Sequence, residues 1–260
     1  MAKLDTPFTF TGRIQLLSFF HMKGSDAIIV RRAKSHSAKR IKTDPRFART
    51  LQNSSEFGAR SKWVHGLYRA WLPIKSVFDY NVYNELISRT RVIQKLETTG
   101  SRGQRGLTIS KTGKILEGLQ FNKTFLMDNI LSSDLELNID LQTASATVRI
   151  PQLIPGTNFH NLPNMPFFQF VAFLQSVPDV SWQETSFQKT SDFIAEDSGT
   201  GWQKSMDIFP GAELKIDLSS HIPHPTSLVL SFAVLFSDDG ENAVKYAGAG
   251  KILKVENGIK

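Results

Sequence analysis

The spacing of apolar residues changes once along this 260-residue chain, near Gly106, and that change restricts the folds open to it. Before it, Val64, Leu67, Tyr68 and Trp71 recur at three- and four-residue intervals, and Val82, Leu86, Ile93 and Leu96 repeat the pattern. Such spacing lays one apolar stripe along a helix. Leu72-Pro73 ends the first helix, because a residue before Pro is driven out of the helical region. The second begins near Asp79 and stops at Gly100. So short a Pro-containing connection implies an antiparallel pair. After Gly106 the period is two. Leu135, Leu137, Ile139 and Leu141 alternate, residues 142–145 turn, and Ala146, Val148 and Ile150 alternate back to Pro151. Leu214, Ile216 and Leu218 form another alternating strand. Residues 167–174 and 228–236 are near-continuous apolar runs, as in strands covered on both faces. Pro155-Gly156, Pro210-Gly211 and Asp238-Asp239-Gly240 supply turns, so the second part reads as an antiparallel sandwich, Ig-like or jelly-roll-like.

The first fifty residues add a β-hairpin. Phe8, Phe10, Ile14 and Leu16 fall at even positions, and Lys23-Gly24-Ser25-Asp26 offers a turn before residues 27–30. Residues 31–42 are basic, with one Ile and no period, and read as a loop or arm. Asp44-Pro45 is a helix start, since Asp accepts bonds from free amides and Pro suits the first helical position. That helix should run to Trp71, with a break near Asn53-Ser54-Ser55. The class is α+β: an N-terminal β-hairpin and helix pair, then the sandwich.

Charge divides at the same place. Residues 1–106 carry 20 Lys and Arg against 7 Asp and Glu, a balance of +13, and residues 107–260 carry 11 against 17, a balance of −6. The expected organisation is a basic module over 1–106 and an acidic β-domain over 107–260. Such asymmetry suggests a polyanion partner, or a second copy docked head-to-tail. With 19 Phe against 4 Tyr, the aromatics point to buried packing. The absence of Cys excludes disulfides and thiolate metal sites. The N-terminus has no apolar signal-peptide core, and the longest apolar stretches fall short of the roughly 20 residues a spanning helix needs, so no membrane role is expected. The chain reads as made in the cytoplasm without a signal peptide, with no final compartment assigned; if it works outside a cell, lysis, a dedicated export machine or release in an assembled particle would carry it out.

Gly12-Arg13-Ile14, Ser18-Phe19-Phe20, the D-P-x-F-x-R-T segment from Asp44 to Thr50, and the N-x-x-E-F-G segment of Asn53, Glu56, Phe57 and Gly58 resemble a conserved family of uncharacterised Bacteroidota proteins. Ser101-Arg102-Gly103-Gln104-Arg105-Gly106 and Leu116-Glu117-Gly118-Leu119-Gln120-Phe121-Asn122 extend the resemblance, which covers roughly residues 7–122. Gln15 departs from it, since similar sequences often carry Gly there. The resemblance implies the division into hairpin, helices and β-domain, and it brings no activity, cofactor or catalytic residue.

Two segments are candidate binding sites. In Gly100-Ser101-Arg102-Gly103-Gln104-Arg105-Gly106, the amides of Gly103 and Gly106 with Arg102 and Arg105 could cradle a phosphate. No G-K-[ST] follows, and the glycines also suit a plain turn from helix to strand. Arg31, Arg32, Lys34, Lys39, Arg40, Lys42, Arg46 and Arg49, with Arg60 and Lys62 nearby, form the main cationic set. Clustered charge suits a phosphate backbone or an acidic neighbour alike. No nucleic-acid-binding motif accompanies the set, and Phe47 and Phe57 read as core rather than base-stacking residues. His221 and His224 lack a third metal ligand, Asp238-Asp239-Gly240-Glu241-Asn242 lacks calcium-loop spacing, and a tight turn fits it better. No nucleophile motif is present, and paired carboxylates such as Asp192 and Glu196 could meet in space only through the fold. No catalytic residue, metal or cofactor is assigned.

The expected function is therefore a non-enzymatic structural subunit, its basic N-terminal part docking on the acidic β-domain of another copy to build a filament, tube or phage-like shell. The alternative is nucleic-acid binding through residues 31–42. A third reading, a carbohydrate- or protein-binding sandwich, would need exposed Trp182 or Trp202.

Overall fold

The structure, a computed structural model, describes residues 2–4, 11–21, 27–32, 36–218 and 227–258. The chain forms two compact units, Met1–Gln52 and Asn53–Lys260. Phe8, Phe10, the turn expected over 23–26, Lys34, His221 and His224 lie outside the described residues.

In the first unit, strands β1 (Ala2–Leu4), β2 (Gly12–Ile14), β3 (Leu17–His21) and β4 (Ile28–Arg32) pair antiparallel in the order β1-β4-β3-β2. Ile14 faces Leu17 across β2 and β3, so Gln15 and Leu16 form a two-residue loop. Gln15 takes φ of +50°, the sign that a type II′ turn requires at its first central position. A Gly adopts that conformation without strain. Gln15→Gly should therefore stabilise the β2–β3 hairpin by about 0.5 kcal/mol, read as slower amide exchange in β3, and faster exchange would contradict the turn geometry.

The loop reading of 31–42 is corrected. Arg31 and Arg32 end β4, opposite Ser18 and Leu17. The stretch then forms helix α1 (Ala38–Thr43), started by the Ser37 hydroxyl, which accepts the Arg40 amide at 3.2 Å. Residues without an apolar period still form a helix here because a good cap precedes good helix formers. Asp44 caps the next turn, its carboxylate accepting the Arg46 amide at 3.1 Å with Pro45 in the first position. Helix α2 (Ala48–Arg69) follows and passes Asn53-Ser54-Ser55 without the expected break.

In the second unit, Asn81 caps helix α3 (Val82–Leu96), and short helices α4 (Ile109–Thr112) and α5 (Met127–Ile130) follow. The Tyr68 ring meets Tyr83 while Gln94 reaches the Glu56 carbonyl, so α2 and α3 run antiparallel. The strands are β5 (Glu136–Asp140), β6 (Ser145–Ile150), β7 (Phe167–Ser176), β8 (Val180–Gln183), β9 (Ser186–Lys189), β10 (Ile194–Gly199), β11 (Gln203–Lys204), β12 (Ala212–Asp217), β13 (Ser227–Ser237) and β14 (Gly248–Asn257). They build a main sheet β10-β7-β13-β14 with β11 also on β7, a smaller sheet β12-β6-β5, and the hairpin β8-β9, all antiparallel. The expected α+β class is the observed one.

The main sheet is the middle of three layers. Phe168, Phe170 and Leu174 of β7 share a core with Val148, Ile150, Leu214 and Ile216 of the smaller sheet. Val171 and Phe173 share the other core with Trp63, Leu67, Trp71 and Leu86 of the helices. Covered on both sides, all eleven residues of β13 are buried, which is why its sequence reads as an unbroken apolar run.

The division between units does not fall at Gly106. Helices and sheet share one core, and such a core cannot be cut into independent domains. Counted by unit, Met1–Gln52 carries 11 Lys and Arg against 3 Asp and Glu, or +8, and Asn53–Lys260 carries 20 against 21, or −1. The charge asymmetry is concentrated in the first 52 residues.

Candidate functional site

The loop after α3 does hold an anion, and the anion is the protein's own Glu56. Arg105 forms a two-pronged pair with it, Nε to Oε1 and Nη2 to Oε2, each at 2.8 Å. The Gly103 amide donates to Oε1 at 2.8 Å, and Gly103 takes φ of +95° to present it. Arg102 Nη2 donates to Asn53 Oδ1 at 3.1 Å, and Gln94 Nε2 donates to the Arg105 carbonyl at 2.7 Å. The N-x-x-E segment of α2 and the S-R-G-Q-R-G loop are thus two halves of one node. Two of the four residues proposed to cradle phosphate, Gly103 and Arg105, bond Glu56. Gly106 instead lies against β8, where Leu107 and Val180 exchange backbone bonds of 2.8 and 2.9 Å.

Glu56 is 4% exposed. Burial pushes its carboxyl up, but Arg105 and the Gly103 amide outweigh burial and hold it below the ordinary range. Arg60 is also buried, and burial brings its guanidinium below its usual value, with Glu56 opposing the shift. Its Nε has no hydrogen-bond partner, and its guanidinium lies 5.8 Å from the centroid of the Phe57 ring. Phe57, expected in the core, is half exposed instead. A second carboxylate fastens the ends of the same loop. Glu97 accepts the Thr108 hydroxyl, the Thr99 hydroxyl at 2.6 Å and the Thr99 amide at 2.9 Å, and these bonds bring it down to about 2. The node locks helix to loop, and its donors are turned inward.

The cationic set is dispersed along a strand and two helices. The Arg31 guanidinium lies 4.9 Å over the Phe20 ring. Arg40 and Arg46 share Asp44, at 3.5 and 2.8 Å, and those bonds, Arg46 foremost, hold Asp44 below the usual carboxylate range. Arg32, Lys39, Lys42 and Arg49 are exposed, and Phe47 is half-buried edge-on to His36. No side chain over residues 37–55 is buried.

The other candidates are accounted for locally. Asp239 accepts the Asn242 and Glu241 amides at 2.8 Å, as a tight turn between strands requires. Asp192 bonds Lys189 at 2.7 Å, while Glu196 sits on β10 opposite Leu174. Trp182 and Trp202 are half-buried, Trp182 edge-on to Phe187. Among the described residues, no three His, Asp or Glu gather as a metal site would need, and no helix is long and apolar enough to cross a membrane. Sequence reasoning missed Glu56, whose signal was an acidic residue three positions after Asn in a helix otherwise flanked by cations. Against this geometry, no protein-family model, curated protein or solved structure matches the chain.

Proposed function

We propose that the chain is a structural subunit whose basic first unit docks on the acidic β-edge of another copy. The observation that carries this reading is how few apolar residues are buried among the described residues of the first unit. Among its described residues only Phe19, Ile28 and Ile29 are buried apolar groups, while Ile14, Leu16, Leu17 and Leu51 are exposed. A further surface that covered these four exposed residues would add buried apolar area to a small sheet. A phosphate backbone would neutralise the cations but leave the leucines wet, whereas a protein surface covers both.

The second unit offers the complement. Strand β5 ends the smaller sheet, with its outer edge unpaired among the described residues. Glu136 stands exposed on it and Asp134 just before it, beside the half-buried Leu135, Leu137 and Ile139. Strand β2, which carries Arg13, ends the first unit's sheet in the same way. Two β5 edges repel each other, as do two basic edges, so the pairing left open is β2 of one copy on β5 of another. Such a contact is heterologous and propagates into a filament or tube, unless its rotation closes a ring or shell.

A charge swap tests it. Glu136→Lys should leave the chain as single copies where the native protein polymerises, and adding Arg13→Glu to the same chain should restore the polymer. Unchanged assembly in the single variant would contradict the pairing, as would a native chain that gains order only with nucleic acid.

A further inference from the structure

The second unit contains a groove of about 920 Å³ between α2 and the segment from β8 to β10. Its helical wall is kept low by Ala59, Gly66 and Ala70. Gly66 is required there, because a Cβ would lie 2.5 Å from the Phe193 ring. Phe187 and Phe193 form the facing wall, both half-buried. Lys62 and Arg69 rise on the rim of α2, exposed, two turns apart and without an ion pair among the described residues. The acid lining the groove, Asp192, is bonded to Lys189.

Gln175 lines the groove from β7. Its Nε2 donates to the Leu67 carbonyl at 3.2 Å, which satisfies one of the free carbonyls at the end of α2. Its Oε1 has no partner, although the residue is 2% exposed. A buried acceptor left unpaired is costly, and a donor delivered into the groove would remove that cost.

We propose that this groove binds a small organic anion with a flat apolar body and an N–H or O–H donor. The volume suits a ligand of that size, since such sites measure roughly 300–1,000 Å³. The body would lie against Phe187 and Phe193, the anionic group would reach Lys62 and Arg69, and the donor would meet Gln175 Oε1 once that side chain, closed to solvent in this structure, turns into the groove. Ala59 on α2 and Ala70 just past its end leave room for the body on either side of the Gly66–Phe193 contact, and the paired Asp192 removes the acid that would repel it.

Anilinonaphthalene sulfonate carries all three features and is the probe. Titrated into the full chain, it should give a saturable rise in fluorescence at one site. The pair K62E/R69E, at two exposed positions that leave the core intact, should weaken binding about tenfold. Gln175→Met, which keeps the bulk and removes the acceptor, should weaken it about fivefold, with thermal melting to confirm that the variant is folded. Lys215→Glu, on β12 in the other sheet, should change nothing. No saturable site, or the same midpoint in K62E/R69E as in the native chain, would overturn the proposal. The dye site is independent of the assembly reading, because the swap at Arg13 and Glu136 touches none of its residues.

Discussion

Replacing Glu56 with Ala should lower the stability of the second unit by about 3–5 kcal/mol, the loss expected when one partner of a buried ion pair is removed. The size of the effect comes from what is left behind. Arg105 loses both prongs of its pair, the Gly103 amide loses its acceptor, and buried Arg60 loses the charge that offsets its burial. Glu56→Gln should cost less, since an amide oxygen can still accept from Gly103 while the charge is gone. Urea unfolding of both variants and of Arg105→Ala would measure it, and the double variant should fall well short of the sum because the two residues act as one unit. A loss in Glu56→Ala below about 0.5 kcal/mol, the scale of ordinary surface substitutions, would show that the node is not what fastens the loop. Acid should act in the same direction. Glu56 and Glu97 both titrate below their ordinary value of 4.5 in the folded chain. Their contribution is full above that value and is lost as pH falls through their folded values, about 2 for Glu97. The native chain should therefore weaken below about pH 4, and Glu56→Gln should flatten that dependence.

Gly106→Ala should cost about 3 kcal/mol, at the upper end for an added methyl group in a packed site. The added Cβ would lie 2.2 Å from the Val180 carbonyl oxygen. That oxygen belongs to backbone and accepts the Leu107 amide, so it cannot swing aside as a side chain could. Gly58 provides the opposite sign. It sits inside α2, where an added Cβ would meet nothing within 4 Å, so Gly58→Ala should gain up to about 1 kcal/mol through helix propensity alone. Thermal melts of the two single variants compare them directly, and equal shifts would show that Gly106 is only a turn residue.

Periodicity made most of the second unit legible. The alternation in 135–141 and 146–150 is the β5–β6 hairpin, and the two apolar runs are β7 and β13 at the centre of the three layers. Residues 31–42 were not legible in that way, because α1 has no buried face and is set by capping at Ser37, a local signal that the missing period obscured. The boundary at Gly106 followed the change of period, which marks where helices give way to strands and says nothing about whether they share a core. The anion-holding character of 100–106 was visible in its Gly and Arg content. That its anion is Glu56 depends on a contact 47 to 49 residues away, which no local pattern encodes. Gln15 carries the opposite lesson: it holds a left-handed backbone position that nothing in its own side chain announces.

Assembly is read by light scattering on the nuclease-treated protein at low and high salt. Large, regular particles are expected at low salt, shrinking as salt screens the proposed contacts between the basic first unit and the acidic edge. A single copy at every salt and protein concentration would contradict it.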